Sequence, residues 1–480
     1  MKQRQRETPI YNKLVNFSGK KPISFHVPGH KNGTLFPEQA KAVFGSALSL
    51  DMTELSGLDD LHAPFGVIAE AEELASDYFG SDHTFFLVGG STAGNLAMIL
   101  SVCSDGDKII VQRNSHKSVM NGLELAGARP VFIAPEYDHT VNRYTSPSLD
   151  SIKQAIDLNP DSKGVVLTYP DYFGKTYDIK SVIDYAHVHN IPVLVDEAHG
   201  VHFSLGEPFP NSALELGADL VVQSAHKMAP SMTMSSYLHM NTPLILKQDI
   251  SHYLQMIQSS SPSYPLMASL DLARSFLATM SHNDIKLILK SVRDIRSLFA
   301  ESTLWDVLPI TDRDDPLKIT LQTKPGLSGL DVAHAFEEKG IYPELATYNQ
   351  ILFIHGLAVF DGKRHLGNSI KIVTEQLKIM DKHATIEITK VFPNSIEELA
   401  MGYKLMKKQT PYLQSLNEAI GEIAADSVIP YPPGIPIILK GERITANHIG
   451  LVKDLLQQGA RMQNKDIDKC IYIYKGDYTL

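Results

Sequence analysis

The sequence predicts an α/β fold in which helices cover a mainly parallel sheet. Three observations support this prediction. Amphipathic segments alternate with short apolar segments from residue 66 to residue 223. The apolar segments are apolar throughout, which is typical of strands buried on both faces. The amphipathic segments are long enough to hold the crossover helices that parallel strands require.

The elements follow one another in a regular order. A polar N-terminal arm comes first and holds one helix near residues 9–16. Apolar residues three and four positions apart then predict helices over residues 66–80, 91–103, 116–128, 148–160, 179–190 and 209–218. Strands are predicted over residues 83–88, 107–112, 129–134, 163–168, 191–196 and 219–224.

The pattern changes after residue 260, which suggests a second kind of domain. Two long helices are predicted over residues 265–280 and 284–299. A mixed α+β pattern follows, with apolar strand-like segments, further helices and a Pro-rich loop, over residues 315–323, 327–340, 348–358, 394–408, 431–442 and 445–460.

The length of 480 residues also favours more than one domain. We expect an arm (1–22), a large domain (23–290), a small α+β domain (291–400) and a C-terminal segment (401–480).

The composition excludes several classes of protein. The formal net charge of −10 gives no electrostatic support for nucleic-acid binding. Two cysteines make neither a disulfide framework nor a cysteine-rich metal site. The start of the chain lacks the apolar segment of a secretory signal, and no apolar run approaches the ~20 residues that span a bilayer. We therefore expect a cytoplasmic protein that binds no metal, nucleic acid or membrane.

Four polar features follow predicted strands, at the sheet edge where open α/β folds bind ligands. Ser91 and Thr92 open a helix after two glycines and form a candidate anion site. His116 follows the second strand. Asp196 ends a strongly apolar strand, and Lys227 comes 31 residues later, just after the next strand.

Each feature alone has an ordinary structural explanation, such as a helix cap or a solvated side chain. Together they are the groups that pyridoxal phosphate requires. A lysine amine meets the cofactor's aldehyde, an anion site meets its phosphate, a carboxylate meets its protonated ring nitrogen, and a histidine stacks on its ring. The sequence therefore predicts a pyridoxal-phosphate site.

Seven motifs give the chain a family resemblance as well. It resembles the Orn/Lys/Arg decarboxylases, which are fold-type-I pyridoxal-phosphate enzymes, and in particular their short form from Gram-positive bacteria. The matching motifs are SFHVPGHKNG (24–33), DMTELSGLDDLH (51–62), VGGSTAGN (88–95), NSHKS (114–118), VDEAHG (195–200), SAHK (224–227) and YPPGIPII (431–438).

The resemblance implies a role for individual residues and for the sheet. The sheet would be of the seven-stranded aspartate-aminotransferase type. Lys227 would form the Schiff base, Asp196 would pair with the pyridine nitrogen, and His116 would stack on one ring face. Five further residues would complete the cofactor site, with Ala198 on the other ring face and Ser91, Thr92, Ser224 and His226 at the phosphate.

The resemblance also implies a dimer or larger homo-oligomer with shared active sites. His30 and Asp60 would contribute at or near the subunit interface.

The predicted reaction is the α-decarboxylation of a basic L-amino acid to an amine and carbon dioxide. The resemblance to short Gram-positive members makes arginine the first choice and lysine or ornithine the next. No motif in the sequence discriminates among these three side chains. Lys227 or His199 would return a proton to the α-carbon. Asp60 and Glu442 are candidates for binding the cationic side chain of the substrate.

Two alternatives remain open at the level of sequence. The first is another fold-type-I enzyme, namely an aminotransferase, an aldolase or a β-lyase, with Arg443 as a clamp for the α-carboxylate. The second is a non-catalytic regulatory protein that binds the cofactor, although no basic segment or DNA-binding module supports it.

Overall fold

A computed structural model describes residues 3–379, 392, 394–430, 436–457 and 461–475. The chain forms two compact units. The first unit comprises Met1–Val102 and Ile179–Ser281, and the second comprises Cys103–Asp178 and His282–Leu480. The four domain boundaries expected from the sequence stay predictions.

The helices of the described residues include two short 3-10 segments, Arg4–Arg6 and Val201–Leu205. The α-helices are α1 (Pro9–Gly19), α2 (Glu38–Leu48), α3 (Val67–Phe79), α4 (Gly90–Val102), α5 (Lys117–Ala126), α6 (Leu149–Leu158), α7 (Ile179–Val188), α8 (Ala225–Met228), α9 (Lys247–Ile257), α10 (Tyr264–Thr279), α11 (His282–Phe299), α12 (Gly329–Glu337), α13 (Lys363–Lys378), α14 (Tyr403–Met406) and α15 (Ala446–Gln457).

The strands of the described residues are β1 (His83–Leu87), β2 (Lys108–Gln112), β3 (Arg129–Ile133), β4 (Tyr137–Asp138), β5 (Arg143–Tyr144), β6 (Val165–Thr168), β7 (Val193–Asp196), β8 (Leu220–Gln223), β9 (Ser236–Met240), β10 (Trp305–Val307), β11 (Lys318–Thr323), β12 (Leu345–Ala346), β13 (Gln350–Ile354), β14 (Ile396–Glu398), β15 (Tyr412–Ser415), β16 (Ile423–Ala424) and β17 (Cys470–Tyr474).

Four strands of the eight-stranded main sheet lie in the first unit, in the order β1-β9-β8-β7. β7 and β8 are parallel, with Leu194 opposite Leu220 and Asp196 opposite Val222. β9 runs antiparallel to both β8 and β1. Every residue of β7, β8 and β9 is buried. Because β7 and β8 are parallel, the residues that follow them emerge at the same edge of the sheet.

The other four strands of the main sheet lie in the second unit, in the order β6-β2-β3-β14. β2 pairs in parallel with β6 and with β3, and β14 adds antiparallel to β3. The second unit also holds two smaller antiparallel sheets, β10-β11-β13-β12 and β15-β17-β16, and the β4-β5 hairpin. The fold class predicted from the sequence is confirmed, with eight strands instead of seven.

Two predicted helices differ from the structure. Residues 209–218 form turns, in which Ser212 Oγ and Ala213 N donate hydrogen bonds to the buried carboxylate of Glu197. The first turn of a helix leaves backbone N–H groups without a partner inside the helix. Here the Glu197 carboxylate, which lies outside this segment, accepts from the donors of Ser212 and Ala213. Residues 394–408 hold β14 and only a four-residue helix, α14, because the backbone of residues 396–398 pairs with β3.

The Pro-rich motif at residues 431–438 lies mostly outside the described residues. Of its described part, Ile438 forms a β-bridge with Val428. Within the described ranges, none of the helices has both the length and the hydropathy needed to cross a membrane.

Candidate active site

Asp196 is a buried carboxylate at the C-terminal end of β7, with 4% of its surface exposed. Its Oδ2 accepts a hydrogen bond of 2.8 Å from Asn95 Nδ2, and its Oδ1 accepts one of 3.2 Å from the Ala198 amide. A buried carboxylate is costly unless donors or a cation compensate it. These two donors are neutral, so Asp196 remains suited to meeting a cation.

Lys227 lies in the single turn of α8, directly after β8. Its Nζ is 3.2 Å from His199 Nε2, within hydrogen-bond distance. His199 is buried and follows β7 by three residues. The two parallel strands therefore bring an amine and an imidazole together, and the imidazole can exchange a proton with the amine.

Two hydroxyl groups meet where α4 begins. Ser224 Oγ donates a 2.9 Å hydrogen bond to Ser91 Oγ, and Ser91 is the second residue of α4. The turn before it needs Gly90, whose φ is +72°, and the Gly90 amide donates to the Met234 carbonyl. Thr92 is exposed beside Ser91. Hydroxyls at the N-terminus of a 13-residue helix are suited to binding an anion.

Gly94 allows α4 to approach the sheet closely. A Cβ atom at this position would lie 2.4 Å from Val222 Cγ2 and 2.9 Å from Leu87 Cδ1. Those contacts are far inside van der Waals distance, so only glycine fits without a shift of the helix. The close approach keeps Ser91 at the end of β8 and Asn95 at the end of β7.

Two other predicted cofactor contacts lie in the same unit. His226 is oriented by its Nδ1, which donates to the Ser235 carbonyl at 3.0 Å. Ala198 is buried, with 8% of its surface exposed, on the turn after Asp196.

His116 lies in the second unit, where it is the N-cap of α5. Its Nδ1 accepts from the Ser118 amide at 3.2 Å and lies 2.8 Å from Ser118 Oγ. These contacts fix the orientation of its ring. The stacking role implied for His116 stays a prediction.

His30 and Asp60 both make contacts within the loops of the first unit. His30 Nδ1 accepts from the Gly33 amide, and its Nε2 lies 3.1 Å from Asp51 Oδ2. His30 therefore carries its proton on Nε2 and donates it to Asp51. Asp60 Oδ1 accepts from the amide of His62 at 2.8 Å. Their roles toward substrate stay predictions.

Glu442 and Arg443 lie in the second unit. Glu442 Oε2 is 2.7 Å from Arg113 Nη2 and also accepts from the Leu439 amide. The Arg113 side chain is 3% exposed, so this is a nearly buried ion pair. Arg443 Nη1 donates to the Gly421 carbonyl. Both residues thus have structural partners inside their own unit, and the substrate role suggested for Glu442 stays a prediction.

Comparison with known proteins identifies the family. Residues 8–313 match the family described as Orn/Lys/Arg decarboxylase, major domain, and residues 383–465 match its C-terminal domain. The chain is 37% identical to an arginine decarboxylase of Bacillus subtilis over 473 residues, which cover 96% of each chain. This chain belongs to the Orn/Lys/Arg decarboxylase family. It is an amino-acid decarboxylase.

A further relative and a solved structure are also similar to this chain. An uncharacterized protein of Bacillus subtilis, YaaO, is 43% identical over 475 residues, covering 97% of this chain and 98% of that protein. The crystal structure of the Francisella novicida lysine decarboxylase LdcF superposes with a TM-score of 0.80 at 21% identity. That superposition covers 97% of this chain and 81% of the other, and it shows that the fold is shared.

One residue of this decarboxylase that contacts the predicted site was not predicted from the sequence. Asn95 donates directly to Asp196. It lies four positions after Ser91 in α4, so the two side chains share a helix face. That spacing was the available signal, because a polar residue one turn beyond an anion-binding serine faces the same edge of the sheet.

Proposed function

We propose that this decarboxylase uses pyridoxal phosphate to remove the α-carboxylate of a basic L-amino acid, with arginine as the preferred substrate. The observation that carries the proposal is the pairing of Lys227 with His199, which follows the buried carboxylate of Asp196 by three residues. The choice of arginine follows the relatives, since arginine decarboxylases of Bacillus subtilis and Bacillus anthracis are 37% and 35% identical to this chain.

The residues present fit the chemistry of pyridoxal phosphate. The cofactor needs an amine, an anion site and a buried acid. The first unit supplies Lys227, the Ser91–Ser224 hydroxyl pair and Asp196. Gly94 keeps the helix that carries Ser91 close enough to the sheet for these groups to converge. The family also supports this cofactor.

Each residue has a defined task in the proposed reaction. When bound, pyridoxal phosphate would supply an aldehyde for the substrate amine and a conjugated ring that can accept an electron pair. Asp196 would hold a proton on the ring nitrogen, and Asn95 holds the Asp196 carboxylate in place. Ser91 and Ser224 would bind the phosphate.

Proton transfer falls to Lys227 and His199. The α-carbon loses its carboxylate as carbon dioxide and must gain one proton in exchange. The Lys227 ammonium can deliver that proton, and His199 Nε2, at 3.2 Å, can replace it. Family membership favours this reaction over transamination, aldol cleavage or β-elimination.

We also propose that the enzyme acts as a homodimer. Several large apolar side chains of the first unit are exposed between residues 23 and 65. Ile23 is 86% exposed, Phe25 95% and Phe65 85%. Helix α2 has no buried residue at all. Exposed apolar groups on one stretch of chain favour a protein partner, and a second copy of this chain is the partner that the family implies.

A direct assay tests the proposed activity. The purified protein is mixed with pyridoxal phosphate and, in separate reactions, with L-arginine, L-lysine and L-ornithine. Carbon dioxide and the amine product are then measured. We expect carbon dioxide and amine to be released from all three amino acids or from arginine alone, with the highest kcat/KM for arginine.

The Lys227→Ala variant should lose both turnover and the visible absorbance of the bound cofactor. Lys247→Ala, an exposed lysine in α9, is the matched control and should keep both. A higher kcat/KM for lysine or ornithine would exclude arginine as the preferred substrate. Absence of release from all three amino acids would exclude the proposed reaction.

A further inference from the structure

Glu197 is a second buried carboxylate next to Asp196, and the proposed reaction does not use it. It is fully buried, at 0% exposure. Glu197 directly follows β7, and its amide still pairs with the Val222 carbonyl of β8. Side chains alternate between faces along such a pairing, so Glu197 points away from the face that Asp196 presents to Asn95. Its carboxylate accepts three hydrogen bonds, from Ala213 N, Ser212 Oγ and Gln223 Nε2, at 2.7, 2.7 and 2.6 Å.

One of these donors begins a chain of hydrogen bonds across the first unit. Gln223 Oε1 lies 3.0 Å from His239 Nε2, and His239 Nδ1 lies 2.9 Å from Thr84 Oγ1. Thr84 Oγ1 lies 2.8 Å from Ser81 Oγ. The chain therefore links the end of β7 to β8, β9 and β1, and its members from Glu197 to Thr84 are buried.

The charge of Glu197 sets the direction of every bond in this chain. A carboxylate can only accept, so Gln223 must turn its amide nitrogen toward it and its oxygen toward His239. His239 then carries its proton on Nε2 and accepts from Thr84 through Nδ1. Burial lowers the pKa of His239 to about 3, so the ring is neutral and has only one proton to place.

Glu197 also shapes the turn that carries His199. A Cβ atom at Gly200 would lie 2.5 Å from Glu197 Cγ, so the chain passes directly over the Glu197 side chain. The Gly200 amide donates to the Glu197 carbonyl, and the Glu197 amide donates to Val222 in β8. Glu197 thus connects Asp196, His199 and the strand that leads to Lys227.

We infer that Glu197 is a positioning residue, whose ionised carboxylate holds Asp196 and the His199 turn in place for the cofactor by anchoring a directed hydrogen-bond chain through Gln223, His239 and Thr84. This inference rests on the proposed function, because it assigns the cofactor nitrogen to Asp196. Burial raises the pKa of Glu197 to about 7 in spite of its three donors, so Glu197 carries its charge above that pH, where the variants below are compared.

Glu197→Gln tests the inference because it removes the charge and little else. The new amide can donate to Ser212 and to a flipped Gln223, which then donates to His239 Nε2. His239 moves its proton to Nδ1 and donates to Thr84. The bonds with Ser212 and those along the chain from Gln223 to Thr84 are remade in the reverse direction, and the Ala213 amide still donates to the remaining side-chain oxygen, so the fold should survive.

Three measurements are made on wild type and Glu197→Gln. Thermal melting of the protein without cofactor checks the fold. Nitrogen-15 NMR of the histidine rings, with His239→Gln used for assignment, reports which nitrogen of His239 is protonated. Visible absorbance and circular dichroism after gel filtration report how tightly pyridoxal phosphate is held. We expect an unchanged melting temperature, a proton moved to Nδ1, and cofactor retention weaker by about tenfold or more, as for the loss of an outer partner of a bound group.

Glu207→Gln is the matched control, since Glu207 is an exposed carboxylate in the same connection between β7 and β8. It should change none of the three measurements. Ser212→Ala removes one donor and leaves the charge, so it should weaken retention less than Glu197→Gln does. It is the variant that decides the matter should Glu197→Gln fail to fold.

One outcome would contradict the role inferred for Glu197 alone, and another would contradict the proposed function as well. Full cofactor retention with an unchanged dichroism band in Glu197→Gln, or in Ser212→Ala if only that variant folds, would make the chain purely structural and end the inference. A wild-type protein that shows no visible band with pyridoxal phosphate would remove the proposed function, and the inference with it.

Discussion

The missing side chain of Gly94 determines how closely α4 lies against β8. Gly94→Ala would place a methyl group 2.4 Å from Val222 Cγ2, so α4 or β8 must shift. Forcing a methyl group into a packed core costs ~1–3 kcal/mol of folding free energy. The same shift would separate Ser91 from Ser224. Urea unfolding should show the loss in stability.

Gly450→Ala is a matched control for this prediction. Gly450 lies inside α15, and a Cβ atom there would have no neighbour within 4 Å. Alanine is favoured over glycine in a helix by roughly 0.5–1 kcal/mol, so this variant should be slightly more stable than wild type. A Gly94→Ala protein as stable as wild type would show that α4 does not need its close approach.

Individual residues also show what the sequence could reveal about the site. Asp196 and Lys227 stand out in the sequence because each follows a strand that is apolar throughout. Asn95 does not, because a single amide in a helix has many ordinary uses. The hydrogen-bond chain from Glu197 to Thr84 could not be predicted from the sequence either. Its members are far apart in the sequence and meet only when β1, β8 and β9 pair.

At the scale of elements, the first unit ties the N-terminal arm to α10 with a buried ion pair. Arg274 and Asp271 of α10 are both fully buried and lie 2.7 Å apart. Arg274 also donates to the carbonyls of Gln5 and Glu7, and Asp271 accepts from the Ile10 amide. The pair therefore holds the arm and the start of α1 against α10.

Arg274→Met should destabilise the protein in a pH-dependent way. Burial raises the pKa of Asp271 to about 6 even beside Arg274, and loss of the cation must raise it further. Asp271 therefore keeps its proton in the folded variant, whereas in the unfolded chain the same carboxyl loses its proton above its ordinary pKa of 3.8. Its stability therefore falls as the pH rises through that window. We expect a loss of ~3–5 kcal/mol at pH 8 and a smaller loss at pH 5.

Urea unfolding at the two pH values measures this difference. Arg4→Met is the control, because Arg4 lies in the same arm and forms an exposed ion pair with Glu73. It should change the stability little at either pH, since exposed pairs contribute little. Equal losses for Arg274→Met at pH 5 and pH 8 would contradict the proposed role of the Asp271 proton.

The sequence predicted elements well where local pattern and final contacts agree. The alternation of β and α elements from β1 to β8 follows from uniformly apolar strands and amphipathic helices. The helix predicted over residues 209–218 was wrong, because the donors of Ser212 and Ala213 form hydrogen bonds with the Glu197 carboxylate. The sequence also did not predict β9, a short strand that owes its place to antiparallel pairing with β1 and β8.

At the scale of the whole molecule, the exposed apolar groups near the N-terminus are the feature that a monomer does not explain. Phe25 is 95% exposed, and Ile23 and Phe65 are nearly as exposed. Water contact with so much apolar surface is unfavourable, and a second copy of the chain would remove it. The proposed homodimer therefore predicts that these side chains become buried on association.

Phe25→Glu should shift the protein from dimer to monomer. Burying one phenylalanine contributes ~1.5–3 kcal/mol, and about 1.4 kcal/mol is a tenfold change in a dissociation constant. We therefore expect the dimer to dissociate at a concentration at least about tenfold higher than wild type. Sedimentation velocity over a range of concentrations measures the dissociation of the dimer.

Ile379→Glu is the control, because Ile379 is 87% exposed at the end of α13 and lies outside the segment from 23 to 65. If wild type sediments as a monomer at micromolar concentration, or if both variants dissociate equally, the apolar groups around Phe25 do not form the dimer contact.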